Sequence, residues 1–243
     1  MIEGSSADEG APMQGRASTA EADAGGLFLT PQLQQRLELV QHLVDFSQQI
    51  IIITGAPGAG KTTFLAELLH RAHDNWRLAV IDASAAPGCE ALIADLAAQL
   101  GAPEDCRSVA DLAALLAQFQ RTDQLGVALV DDAEQLPAAS LEVLLELAQP
   151  PVGTERLHLV LVGTPALQAL LGGDGAERFR LEISHSLDIP AFTPAQTEAF
   201  VDRHVLALGM PPGESIQQPQ FIADLHRDTG GLPGAIIGAL EAG

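Results

Sequence analysis

Residues 50 to 63 read Ile-Ile-Ile-Ile-Thr-Gly-Ala-Pro-Gly-Ala-Gly-Lys-Thr-Thr, and the spacing Gly55-x-x-x-x-Gly60-Lys61-Thr62 is one that handles phosphate. Gly55, Gly58 and Gly60 are expected to take backbone angles that a Cβ would forbid, so that successive N–H groups turn inward at a helix start. The whole run Gly55, Ala56, Pro57, Gly58, Ala59, Gly60, Lys61, Thr62 and Thr63 is therefore assigned to binding phosphates. Lys61 adds a mobile point charge, and the Thr62 hydroxyl is suited to a Mg²⁺ ion that otherwise keeps its waters. Lys61 is also the only lysine in 243 residues.

A second group of chemically capable residues follows an apolar run, Gly126 to Val130, which ends in Asp131-Asp132. A strand beside the phosphate loop would deliver the Asp131 carboxylate to Mg²⁺, while Asp132 polarises an attacking water. A third run, Leu157 to Val162, ends in Gly163-Thr164. The Thr164 hydroxyl either senses a terminal phosphate or merely caps the helix that starts at Pro165.

These groups need a scaffold, and the rest of the chain reads as one. Ile50 to Ile53 form a β-branched block of the kind found in strands buried on both faces. Further strands are expected at Leu78–Asp82 and Ser186–Ile189, and the Phe64-Leu65-x-x-Leu68-Leu69 spacing predicts a helix from about Lys61 to His73. Two Ala- and Leu-rich helices are expected at about Cys89–Leu100 and Val109–Phe119, and another at Leu141–Leu147. Before the loop, Thr30-Pro31 reads as an N-cap followed by proline at the first helical position, opening a helix to about Ser47. From Thr193 onward only helical patterns remain, to about Leu208, then Gln218 to His226 and Leu232 to Leu240. Strand–helix alternation followed by helices alone predicts an α/β chain: a parallel sheet flanked by helices (27–192) with a small C-terminal helical lid (193–243). Residues 1–26, almost free of large apolar side chains, read as a disordered leader.

Composition narrows the function. Net charge is −20, from 32 acidic against 12 basic residues, a surface that repels phosphate backbones and anionic headgroups and so argues against nucleic acid as a partner. Cys89 and Cys106 lack metal-ligand spacing and read as reduced thiols. No apolar run reaches the ~18 residues of a membrane span, and no signal core opens the chain, so a cytoplasmic location is expected. The absence of an N-K-x-D guanine-reading motif favours ATP.

Four segments together resemble a known family: the loop Gly55 to Thr62, Asp131-Asp132-Ala133-Glu134-Gln135-Leu136, Leu161-Val162-Gly163-Thr164-Pro165-Ala166-Leu167, and Gly230-Gly231-Leu232-Pro233-Gly234. In this order they look like an AAA+ ATPase of the P-loop NTPase class. The nearest group is the ATPase of general secretion pathway protein A (ExeA-like), with relatives in MSHA pilus biogenesis and among SPOR-domain envelope proteins. The resemblance runs from about Gly26 to the C-terminus. It implies ATP and Mg²⁺ as cofactors, with Thr62 and Asp131 on the metal and Lys61, Asp132 and Thr164 acting on the phosphates.

Two departures stand out. Asp132 occupies the place of the family's water-activating glutamate and is one methylene shorter, with Glu134 a second choice for that role. Gly234 stands where family members often carry a phosphate-sensing arginine, which leaves Arg178 or Arg180 to act from a neighbouring subunit or simply to form surface ion pairs. The resemblance further implies a homo-oligomer with a membrane-associated partner protein, working as a switch or motor in assembly of an envelope or secretion apparatus. The membrane span and cell-wall-binding domain of ExeA-like members do not follow here, so the chain reads as a module of a longer protein or as a stand-alone subunit. A nucleotide-dependent scaffold with little turnover, a DNA-linked regulator and a small-molecule kinase remain open alternatives.

Overall fold

The structure, a computed structural model, describes residues 28–103, 105–150, 155–171, 183–207 and 218–242. The proposed leader, the turn at 172–175 and both Arg178 and Arg180 lie outside the described residues. The Thr30 hydroxyl accepts the Leu33 N–H at 3.2 Å and opens helix α1, Pro31–Phe46, with proline at its first turn as expected. Then come β1 (Ile50–Gly55), α2 (Lys61–His70), β2 (Trp76–Asp82), α3 (Cys89–Gln99), α4 (Val109–Arg121) and β3 (Leu125–Asp131). They are followed by α5 (Ala138–Ala148), β4 (His158–Gly163), α6 (Pro165–Leu171), β5 (Ile183–Ile189), α7 (Pro194–Ala207), α8 (Pro219–Thr229) and α9 (Pro233–Ala242).

Helix α2 stops short of the expected His73 because Trp76 claims the following residues for the sheet. Its ring is buried, and its indole N–H donates to Asp45 Oδ1 at 2.8 Å. Strand β2 accordingly starts two residues earlier than its apolar run suggests.

The five described strands form one parallel sheet in the order β2-β3-β4-β1-β5. The acid-bearing strand β3 does not pair with β1, yet its tip reaches the loop after β1 as the sequence suggested. Strand β4 lies between them, with Val160 in register with Ile51 on one side and Leu129 on the other. Strand order follows from where the crossover helices dock, which no local run of residues encodes.

Alternation along each strand serves two cores. Ile50 and Ile52, Ala128 and Val130, and Leu159 and Leu161 face a layer formed by α3, α4, α5 and α6. Ile51 and Ile53, Val127 and Leu129, and Val160 and Val162 face α1, α2 and Trp76. With both faces covered, an unbroken apolar run is the stable solution, and each fully buried isoleucine contributes about 1.5–3 kcal/mol. At the β2 edge, the Gln99 side-chain amide accepts from the Val80 N–H at 2.8 Å and donates to its carbonyl at 2.9 Å. The side chain at the end of α3 thus stands in for a strand partner at Val80 and occupies that point of the edge.

A third core joins α7, α8 and α9 through Phe192, Val201, Val205, Ile222, Leu225 and Ile236, with Phe28 and Leu33 packed against it. The segment ahead of α1 thereby bridges the sheet and the C-terminal helices. Among the described residues no helix is long and apolar enough to cross a membrane.

Candidate functional site

All five strands end on one edge of the sheet, and the loop after β1 rises from that edge. In doubly wound sheets this is the crevice where ligands bind. Gly58 (φ +78°) and Gly60 (φ +91°) adopt the left-handed geometry expected of them. Gly55 does not. Its role is close approach, because a Cβ there would lie 3.1 Å from the Ile189 carbonyl at the end of β5. Helix α2 starts from Gly60 with no side-chain cap, so its first-turn N–H groups are left for an external acceptor.

Lys61 is buried and turns back across the loop, its Nζ donating to the carbonyls of Gly55 at 3.2 Å and Ala56 at 3.3 Å. A lone ammonium held by two neutral carbonyls at an uncapped helix start is a site for anionic oxygen. The Thr62 hydroxyl donates to Asp131 Oδ2 at 2.6 Å, and Asp131 Oδ1 accepts the Asp132 N–H at 3.0 Å. The phosphate loop and the tip of β3 are thus joined by one hydroxyl–carboxylate contact, even though β4 separates their strands.

The oxygens of Thr62 and Asp131 are close enough to serve one hard cation. Among the described residues no cluster of three His, Cys, Asp or Glu side chains adds to them. One hydroxyl and one carboxylate suit Mg²⁺, which takes its other ligands from phosphate and water. The residues present therefore fit the metal that the motif implies.

Asp132 has a positive φ of 49°, a conformation that aspartate tolerates better than most residues. The turn itself thus offers a reason for the shorter acid at this position. Burial raises its pKa above the usual carboxylate range, and the nearby charges of Asp131, Glu134 and Asp82 raise it further against the opposing pull of Lys61. A carboxylate so placed binds a proton more readily than a free one, as a base for water requires.

Thr164 comes to the same place, held by its backbone. Its N–H donates to Glu134 Oε1 at 3.1 Å. Glu134 is thus turned toward the tip of β4.

Two cavities meet at Gly60 and Thr63. The larger, about 540 Å³, is lined by Pro57, Gly58, Lys61, Thr62, Asp132, Glu134, Gln135 and Thr164, and closed by Pro233, Gly234 and Ile237 of α9. The smaller, about 260 Å³, is lined by Phe28, Leu29, Leu33, Ala59, Phe64, Phe192, Phe200 and His204. In it the rings of Phe28, Phe192 and Phe200 lie 5.2–5.5 Å apart, tilted or edge to face. A charged cavity beside an aromatic one, the two sharing Gly60, Thr63, Pro233 and Ile237 in their walls, has the polarity of a nucleotide, phosphates on one side and base on the other.

The comparisons with known proteins bear on this arrangement. The family described as AAA domain matches residues 44–171, more than half of the chain, from the end of α1 through α6. The chain belongs to the AAA domain family. Its members bind nucleotide with Mg²⁺, and ATP hydrolysis is the activity found at family level.

Solved structures add the fold. The ORC2 protein of Aeropyrum pernix, in ADPNP–ADP complexes, matches with a TM-score of 0.61 at 17% identity, over 86% of this chain and 60% of that one. Cdc6p of Pyrobaculum aerophilum matches at 0.62 and 23% identity, over 84% and 57%. The Aeropyrum pernix ORC1 protein, in complex with DNA, matches at 0.57 and 16%, over 84% and 56%. The AAA chain described here therefore spans at most 60% of the length of these three proteins. No curated protein matches it.

Sequence reasoning missed the aromatic cavity of this AAA domain. Its walls come from residues 28, 192 and 200, too far apart in the chain for any window to join them. The one local signal is Phe200 and His204, four residues apart and so on the same face of α7.

Proposed function

We propose that this AAA domain binds Mg·ATP with its triphosphate in the polar cavity and its base among Phe28, Phe192 and Phe200, and that it hydrolyses the nucleotide slowly. The observation that carries this reading is the Thr62–Asp131 contact, which unites the phosphate loop with the acids at the end of β3. Thr62 and Asp131 hold Mg²⁺, which when bound neutralises charge on the phosphate oxygens. Lys61 leaves its two carbonyls for the terminal phosphates. Asp132 accepts a proton from water as the water oxygen bonds to the terminal phosphorus and the bond to the ADP oxygen breaks.

The chain then works as a nucleotide-driven switch. Helices α7 to α9 serve as its lid, and nucleotide promotes homo-oligomer assembly. The order of the four segments Gly55–Thr62, Asp131–Leu136, Leu161–Leu167 and Gly230–Gly234, which resembles the ExeA-like group, supports a role in assembling a bacterial envelope or secretion apparatus with a membrane-associated partner. An arginine from a neighbouring copy, Arg178 or Arg180, is the candidate for completing the site. Lys61→Ala is expected to abolish ATP binding measured by calorimetry, and retained affinity would refute the site.

Two observations favour a second reading, a scaffold that binds nucleotide and hardly turns it over. Asp132 is a short acid, and at Gly234 a backbone contact stands in place of an arginine side chain. Phosphate release at steady state separates the readings, since turnover lost in Asp132→Asn removes the scaffold. A DNA-linked role draws on the likeness to the ORC1 protein solved with DNA. The net charge of −20 opposes it, and salt-sensitive DNA binding would revive it.

A further inference from the structure

Glu134 belongs to the short 3-10 turn Ala133–Gln135 that follows Asp132. One of its oxygens accepts the Thr164 N–H, while Oε2 is buried with no hydrogen-bond partner. That second oxygen occupies the space above Gly163, where a Cβ would come within 2.2 Å of it. A glycine as the last residue of a buried strand forgoes packing. Here the missing side chain is replaced by the carboxylate of another element.

The result is a tie between the two strand ends that carry the reactive side chains. Strands β3 and β4 pair along their length only as far as Val130 and Leu161. Past those residues Asp132 enters a left-handed turn and Thr164 leads into α6. Beyond the ladder, Glu134 spans the gap by bonding the Thr164 backbone, and Asp132, Glu134 and Thr164 all line the cavity that holds Lys61.

We infer that Glu134 is a positioning residue of this site: its carboxylate, seated on Gly163, ties the Thr164 backbone to the turn bearing Asp132, so that both groups move as one unit opposite the phosphate loop. Glu134 is not the water-activating base in this scheme, because one of its oxygens is tied to the Thr164 N–H and the other is buried against Gly163. The assignment rests on the hydrolysis reading for its consequence, but the tie itself can be measured without turnover.

The test compares Glu134→Ala with Glu134→Gln in the full chain. Loss of a hydrogen bond to a charged group is expected to lower kcat about 10-fold or more in Glu134→Ala, with KM for ATP within about 3-fold. In Glu134→Gln the amide oxygen still accepts the Thr164 N–H, and kcat recovers most of its value. Hydrogen exchange at the Thr164 amide, followed by NMR, is expected to quicken about 10-fold in Glu134→Ala and to stay near wild type in Glu134→Gln. Wild-type kcat in Glu134→Ala overturns the inference. So does a Glu134→Gln variant as slow as Glu134→Ala, which would make the charge and not the bond the active element. Unchanged Thr164 exchange in a folded Glu134→Ala protein also overturns it.

If the wild-type chain does not turn over ATP, the hydrolysis reading fails while the exchange data still decide the tie. Gly163→Ala supplies an independent check. It is expected to lower stability in the wild-type background and to do so less beside Glu134→Ala, where the approach to the carboxylate is gone and a 3.2 Å contact with Leu167 remains. Equal losses in the two backgrounds would also overturn it.

Discussion

The backbone N–H of Gly234 donates to the carbonyl of Gly58 at 3.0 Å, so the first turn of α9 stands directly on the phosphate loop. The approach is close enough that a Cβ on residue 234 would lie 3.2 Å from the Gly58 Cα. Loop geometry and the position of the C-terminal helices are therefore linked through two glycines. Where the resemblance led to the expectation of a sensing arginine, this chain has a backbone contact.

Gly234→Ala is expected to push α9 back by a few tenths of an ångström and to weaken ATP binding about 3- to 10-fold. Gly238→Ala, in the same helix but with open space around its Cβ, serves as the control. It is expected to leave affinity unchanged and to raise stability by about 0.5–1 kcal/mol through helix propensity. Calorimetric titration of the two variants checks the pair.

Asp132→Asn removes the proposed base, a carboxyl whose pKa the fold holds above its ordinary value. Turnover is expected to fall about 100-fold or more. Stability of the nucleotide-free protein moves the other way. With the folded pKa raised, the native state binds the proton more tightly than the unfolded chain, so this carboxyl costs stability as pH rises past the ordinary carboxylate range. The variant should melt above wild type at neutral pH and match it in acid, where both side chains are uncharged. Melting curves at pH 7 and in acid, with phosphate release at pH 7, check both halves.

Phe200→Ala opens one wall of the aromatic cavity. A loss of about 10-fold or more in ATP affinity is expected, with inorganic triphosphate bound as tightly as by wild type. An equal loss for both ligands would place the base elsewhere.

His158, at the start of β4, is held neutral. Burial lowers its pKa to about 4, with the Arg156 charge adding to the effect and Asp45 opposing it. The unfolded histidine takes up its proton near pH 6.5. Between these values the unfolded state binds more protons, so stability is lost as pH falls from about 6.5 toward 4. His158→Gln is expected to flatten that part of the profile by on the order of 2 kcal/mol, measured by urea titration from pH 7 to 4.5.

What could be read without coordinates was whatever the chain specifies within a few residues. The Thr30-Pro31 start of α1, the β-branched run of β1, the phosphate loop and the acids closing β3 all follow from local preference and periodicity. Element ends were less legible: α5 and β5 each start three residues earlier than their apolar runs suggest, and the indole bond to Asp45 accompanies the early start of β2 at Trp76. The motif also misattributed one residue: Gly55 is small because of Ile189, over 130 positions away, and not because of its own dihedral angles.

Sequence alone therefore determined which chemically capable groups this protein carries, because a phosphate loop with its lysine and hydroxyl is contiguous and the acids lie at the end of a recognisable strand. Tertiary structure alone decided how those groups meet. It inserted β4 between β1 and β3, turned Glu134 onto Gly163 and Thr164, set Gly234 on Gly58, and gathered three phenylalanines into one cavity. Those contacts depend on how helices dock on a twisted sheet, a property of the packed whole that short-range preference does not contain.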